Sequence, residues 1–221
     1  MDLNKRQLPP KRKSQTWRAI LLGFFLVAGL QAAETRTVIF FGDSLTAGLG
    51  LDPDEAFPAL IQKKIDAAGI SAHVINAGLS GETSAGGLRR LNWILRQKAD
   101  IFILELGAND GLRGIAPEVT RKNLQAIIDQ FRQKDPNTII VIAGMQLPTN
   151  LGPDYTKKFA ALFPELAESN HLPLIPFLLA GVGGDPSLNQ GDGMHPTAEG
   201  DEIVAHTVWK TLKPLLTGAT E

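Results

Sequence analysis

The stretch Phe40-Phe41-Gly42-Asp43-Ser44-Leu45-Thr46-Ala47-Gly48 places a serine where a buried strand stops and a turn begins. Val38 to Phe41 are β-branched or aromatic, as a strand buried on both faces requires, and Gly42-Asp43 supply the turn that ends it. In open α/β sheets the carboxyl edge of the strands is where ligands bind, so Ser44 is a candidate nucleophile. Asp43 and Ser44 suit a turn and a helix cap equally well, and this segment alone leaves both readings open. A base, an orienting carboxylate and oxyanion donors elsewhere in the chain decide between them.

Outward from this segment, short apolar runs alternate with longer amphipathic ones. Val38–Phe41, His73–Asn76, Ile101–Leu106, Ile139–Ala143 and Leu174–Phe177 predict strands. Helices are expected at about Asp54–Ala68, Ser84–Gln97, Pro117–Lys134, Asp154–Ser169 and Thr197–Leu212. Pro117 suits a first helical position, and Val119, Leu124, Ile127, Ile128 and Phe131 approximate one apolar stripe. Crossovers of this length join parallel strands, so the pattern predicts an α/β fold: a doubly wound, parallel five-stranded sheet between two helical layers. The segment from Gly181 to Gly193, rich in Gly and Asp, reads as a loop leading into the last helix.

The 221 residues suffice for one domain with a substantial core. Lys plus Arg number 22 and Asp plus Glu 23, so no global field draws the protein onto nucleic acid. The positive charge is nevertheless uneven. Lys5, Arg6, Lys11, Arg12, Lys13 and Arg18 precede an apolar run from Ala19 to Leu30 and then Gln31-Ala32-Ala33-Glu34. Residues 1–33 read as a secretory signal peptide, with the domain occupying 34–221, and the product is exported, periplasmic or secreted. The apolar run is shorter than the roughly 20 residues of a spanning helix. No cut between Ala32 and Glu34 puts small residues at both sites a signal peptidase prefers, so an uncleaved anchor stays the alternative. The chain has no cysteine, which excludes disulfides and thiol catalysis.

Four histidines are available as a base. His73 begins a predicted strand, His171 follows a helix end and His206 lies within the last helix. His195 differs, sitting in Gly191-Asp192-Gly193-Met194-His195-Pro196 with a carboxylate three residues before it. That spacing lets Asp192 accept from one ring nitrogen while the other faces a nucleophile; turn chemistry with an exposed histidine is the alternative. Acyl transfer also needs donors aimed at a developing oxyanion. Asn109 lies just beyond the third strand, and Gly81 lies in a glycine turn after the second, where its N–H can point at a ligand. Met singly, each reads as an Asx turn or a tight loop. They occur after consecutive strands.

Together Gly42-Asp43-Ser44-Leu45, Gly81, Gly107-Ala108-Asn109-Asp110 and Asp192-Gly193-Met194-His195-Pro196 resemble, in order and spacing, the four blocks of the GDSL esterases, also called SGNH hydrolases. Within that family the chain is most similar to the bacterial thioesterase I, lysophospholipase and arylesterase group. The resemblance covers roughly Thr37 to Leu212 and implies a flavodoxin-like SGNH fold. It further implies Ser44 as nucleophile, His195 as general base held by Asp192, and an oxyanion hole from Ser44, Gly81 and Asn109. Loops after the third and fourth strands would then offer Leu112, Ile115, Leu147 and Pro148 to an acyl chain. The expected enzyme is a monomeric carboxylic ester hydrolase without metal or cofactor, acting on small-molecule or lipid acyl esters with transient lipid contact.

Other readings are weighed against this one. Asp43, Asp110 and Asp192 could hold magnesium for phosphate hydrolysis, which would leave Ser44 and His195 without a role. A carbohydrate acetylesterase of the same fold would present aromatics near its loops, and a non-catalytic secreted binding domain would need no triad. Arg89 and Arg90 read as a solvated helix face.

Overall fold

Gly42, the last residue of the first strand, lies beside Glu105, the last of the third, and this register sets the architecture. The computed structural model describes residues 34–218; the expected leader 1–33 lies outside the described residues. Strand β1 (Arg36–Gly42) is central, flanked by β2 (Ala72–Asn76) and β3 (Ile101–Glu105); β4 (Ile139–Ala143) and β5 (Leu174–Ile175) continue beyond β3. All pairings are parallel and the order is β2-β1-β3-β4-β5. The chain leaves β1 to one side for β2 and crosses back to the other for β3. The crevice of a doubly wound sheet therefore opens between the carboxyl ends of β1 and β3.

Seven α-helices accompany the strands among the described residues: α1 (Ser44–Ala47), α2 (Phe57–Ala67), α3 (Ser84–Ile94), α4 (Ala108–Leu112), α5 (Pro117–Lys134), α6 (Pro153–Asn170) and α7 (Ala198–Thr217). Helices α2 and α7 pack together, α3 packs on α5 and α5 on α6, which gives the three expected layers. Alternation along β1 aims its side chains at opposite faces. Phe40 meets Phe57 of α2 edge to face, while Phe41 meets Phe102, which in turn stacks on Phe131 of α5 at 3.8 Å between ring centroids. Val38, Ile39, Phe40 and Phe41 are fully buried, as the apolar run predicts.

The observed bounds of β4 and α5 coincide with those expected. Strand β5 is shorter than expected, since Pro173 and Pro176 flank it and Pro176 has no N–H for the ladder. The last helix runs past Leu212 to Thr217 with Pro214 inside it. The short helices α1 and α4 were not expected, because four or five residues carry no detectable period. No helix among the described residues is long and apolar enough to cross a membrane.

One buried carboxylate joins two of the helices. The N-cap of α2 is Ala56, which has no capping side chain; Asp201, in the first turn of α7, accepts the Phe57 N–H instead at 2.9 Å. Burial pushes the Asp201 carboxyl up to about 7 against that hydrogen bond, which lowers it. Native protein thus holds this proton where unfolded chain has released it. Stability is full below the unfolded value of 3.8 and falls as pH rises toward about 7. Asp201→Asn keeps an acceptor for Phe57 and removes that share of the slope. Melting temperatures from pH 4 to pH 9 are expected to fall less steeply for the variant than for wild type; parallel curves would disprove the assignment.

Candidate active site

Asp43 caps α1, its Oδ1 accepting the Leu45 N–H at 3.0 Å, and Ser44 is the first residue of that helix. The two readings of the segment are therefore one structure: capping the helix presents the serine at the carboxyl end of β1. Ser44 Oγ lies 2.8 Å from His195 Nε2, across 151 residues of chain. His195 Nδ1 lies 2.5 Å from Asp192 Oδ2. The other oxygen of Asp192 accepts the backbone N–H groups of Met194 at 2.9 Å and His195 at 3.0 Å. The carboxylate and its histidine are thus built into a single turn. These bonds, the His195 N–H foremost, hold the Asp192 carboxyl down at about 2.

The loop carrying this pair is fastened to the segment that follows Ser44. Gln190 donates its backbone N–H to the His195 carbonyl at 2.7 Å and its side-chain amide to the Leu49 carbonyl at 2.7 Å. Asn189 and Pro196 form an antiparallel bridge at its neck.

The three groups expected as oxyanion donors stand at three strand ends. Among the described residues neither the Ser44 N–H nor the Gly81 N–H donates to a protein acceptor. The Asn109 amide donates to Asp43 Oδ2 at 3.0 Å, leaving its second hydrogen free. Asp43 thereby orients the serine's helix and the asparagine together. Gly81 has φ +78°, a conformation that suits glycine, and its carbonyl accepts from Arg113 at 3.0 Å. Asp110, fully buried, accepts from the Ser84 N–H at 2.7 Å and hydroxyl at 2.5 Å. This bond ties the Asn109 helix to the helix that follows Gly81.

Glu105 is the residue of this site that sequence reading passed over. It is fully buried at the end of β3, and its Oε2 accepts from the Asp43 N–H at 3.1 Å and the Thr46 hydroxyl at 2.7 Å. Burial, and then the charge of Asp43, push its carboxyl well above the usual carboxylate range. Burial likewise raises Asp43 to about 6 against its bonds to Leu45 and Asn109. The register explains Gly42: a Cβ there would stand 2.2 Å from Glu105 Oε2 and 2.1 Å from Thr46 Oγ1. Gly42 was legible as a turn residue. Its use as the space for a buried acid was not, because that needs the β1–β3 pairing.

Ser44, Asn109 and His195 open onto a cleft of about 500 Å³. Leu112, Leu147 and Pro148 line it, with Met145 from the segment expected to border the cleft, and Phe177 and Met194, which were not anticipated, join them. Ile115 is a correction. Its N–H turns back onto the Asp110 carbonyl at 3.0 Å and its own carbonyl accepts from Tyr155, so it is not among the residues lining the cleft. Arg90 is a second correction: it is half-buried and bonded to the backbone, while Arg89 is exposed. The three carboxylates of the metal reading are occupied by protein donors, Asp43 by Leu45 and Asn109, Asp110 by Ser84, and Asp192 by its own turn. Trp93 and Trp209 sit on helices and do not line the cleft, so the aromatic platform expected of a polysaccharide esterase is not built from them.

Residues 40–203 match the model of the GDSL-like lipase/acylhydrolase family. The esterase TesA of Pseudomonas aeruginosa is 41% identical over 202 residues, covering 90% of this chain and all of that protein. Thioesterase 1/protease 1/lysophospholipase L1 of Escherichia coli K12 is 35% identical over 194 residues, covering 87% of this chain and 91% of the relative. The psychrotrophic esterase EstA from Pseudoalteromonas sp., solved inhibited by monoethylphosphonate, superposes with a TM-score of 0.77 at 33% identity, covering 82% of this chain and 99% of the other.

Proposed function

The chain belongs to the GDSL-like lipase/acylhydrolase family and is a serine esterase, and on that premise we propose that Ser44, His195 and Asp192 carry its chemistry. The observation that carries this reading is the continuous line from Asp192 Oδ2 to His195 Nδ1 at 2.5 Å and from His195 Nε2 to Ser44 Oγ at 2.8 Å. His195 takes the Ser44 proton as Oγ attacks the acyl carbonyl, and Asp192 stabilises the imidazolium. The tetrahedral oxyanion is received by the Ser44 and Gly81 N–H groups and the free hydrogen of Asn109. His195 then gives its proton to the departing alcohol or thiol, leaving an acyl-enzyme on Ser44. A water deprotonated by the same nitrogen releases the acid and restores the serine.

Leu112, Met145, Leu147, Phe177 and Met194 give the acyl group an apolar wall. Chains that reach this wall gain up to about 0.8 kcal/mol per buried methylene. We place medium-length acyl esters and thioesters, lysophospholipid among them, ahead of acetyl esters. Leu49, Leu79 and Met194 on loops, and Leu112 at the end of α4, are large exposed apolar side chains at this edge, which supports transient contact with a lipid phase. The basic and apolar residues 1–33 support export.

An alkyl phosphonate bearing a good leaving group tests the site. It is expected to add its mass to the peptide containing Ser44 and abolish turnover in equal proportion. Labelling elsewhere, or inactivation without labelling, would overturn the assignment. In an ester panel of graded chain length, kcat/KM is expected to rise from acetyl toward medium chains; a maximum at acetyl would instead favour the carbohydrate acetylesterase.

A further inference from the structure

Arg90 was read from the sequence as part of a solvated helix face, yet its guanidinium is the point where the turns carrying Ser44 and Gly81 are tied together. Its Nε donates to Glu82 Oε2 at 2.5 Å, and Nη2 reaches the same oxygen. Nη2 also donates to the Ala77 carbonyl at 2.9 Å and the Gly42 carbonyl at 3.2 Å. The plane lies 4.1 Å from the centre of the Phe41 ring. Gly42 stands two residues before Ser44, Ala77 is at the exit of β2, and Glu82 directly follows Gly81.

The Gly81 turn is closed on itself by the Glu82 N–H to the Leu79 carbonyl at 3.1 Å, and the Leu79 N–H returns to the Gly42 carbonyl at 3.0 Å. Gly81 itself is exposed, and its carbonyl is held by Arg113 at 3.0 Å. Beyond that one bond to an exposed side chain, its orientation depends on the anchored residue beside it. Glu82 is 8% exposed, and Arg90 is the cation that pairs with it. Removing the guanidinium leaves that carboxylate buried without a partner and drives the turn outward to solvate it.

Resting on the assignment of Ser44 and the oxyanion hole above, we propose that Arg90, through Glu82, is the positioning residue that sets the Gly81 N–H against the Ser44 N–H. The planar fork is required. One guanidinium edge must serve a carboxylate and two carbonyls while its face rests on Phe41, which an ammonium cannot do.

The variants are Arg90→Lys, Arg90→Ala and Glu82→Gln, assayed on a soluble aryl ester and by phosphonate inactivation. Loss of one oxyanion donor costs about 100- to 1000-fold in kcat, so a donor displaced but not deleted is expected to cost about 10- to 100-fold. KM is expected to stay within about two-fold, and phosphonate inactivation to slow by the same factor as kcat. Added guanidinium ion is expected to restore part of the Arg90→Ala rate and none of the Glu82→Gln rate. Glu82→Gln keeps an acceptor for the guanidinium, and it provides the reading if the arginine variants fail to fold. Unchanged kcat in folded variants, or a rise in KM alone, would overturn the proposal. Wild type that is not labelled at Ser44 would defeat the site assignment itself; labelled wild type with unimpaired variants defeats only the role of Arg90.

Discussion

Ser44→Ala is expected to lower kcat on a soluble ester by on the order of 10⁵- to 10⁶-fold while leaving the fold intact. Among the described residues, the serine hydroxyl is the one oxygen within reach of His195 Nε2, at 2.8 Å, that can be activated without recruiting solvent. With it gone, the oxyanion donors still accept the charge of a tetrahedral adduct, but water must attack from an undefined position. A residual rate on the order of 10³-fold above solution is what such donors and binding retain alone. The alanine carries no structural penalty, since the cap of α1 is made by Asp43 and the Leu45 N–H, not by the serine side chain. Melting temperature is therefore expected to hold or rise, as is common when a polar catalytic group is removed from a partly buried position. Turnover above about 1% of wild type, in protein free of contaminating esterase, would remove Ser44 from its assigned role.

Asp192→Asn is expected to cost about 10³- to 10⁴-fold in kcat with little change in KM. Its side-chain oxygen still accepts the Met194 and His195 N–H groups, so the turn survives. The amide nitrogen then faces His195 Nδ1 and donates to it. The imidazole is forced into the tautomer whose Nε2 carries hydrogen, and that nitrogen cannot take a proton from Ser44. Proton chemical shifts of the imidazole report the change of tautomer directly, and a wild-type-like spectrum in an inactive variant would refute the explanation. The native carboxylate is held at about 2, so it stays ionised through mildly acid conditions. Its linkage has the opposite sign to that of Asp201: a depressed carboxyl stabilises the fold above its unfolded value and loses that contribution as pH falls toward about 2.

Much of this was readable from local pattern. The strand at Ile139–Ala143 and the helix at Pro117–Lys134 announce themselves by β-branched content, an N-terminal proline and an apolar stripe. Ser44, Asn109 and Gly81 follow from a single rule, that ligands in a doubly wound sheet bind just past the strand ends, and His195 from the carboxylate three residues before it. What escaped reading lies in relations between segments. Glu105 looks like an ordinary strand residue until the register sets it beside Gly42. Arg90 looks solvated until three backbone segments close around it, and Asp201 looks like a first-turn acid of its own helix while capping another. Ile115 failed for a related reason, because one backbone bond to Asp110 decides which way its loop turns.

The distance along the chain between Ser44 and His195 also orders events in time. The serine leaves the ribosome with the first strand of the domain, and Gly81 and Asn109 follow it. The histidine comes in the loop before the last helix, with Asp192 already in its own turn. A growing chain therefore carries the proposed nucleophile and oxyanion donors before the proposed base has been made. That loop is fastened beside Ser44 by the Gln190 amide on the Leu49 carbonyl, and α7 then docks as Asp201 takes up the Phe57 N–H at the head of α2.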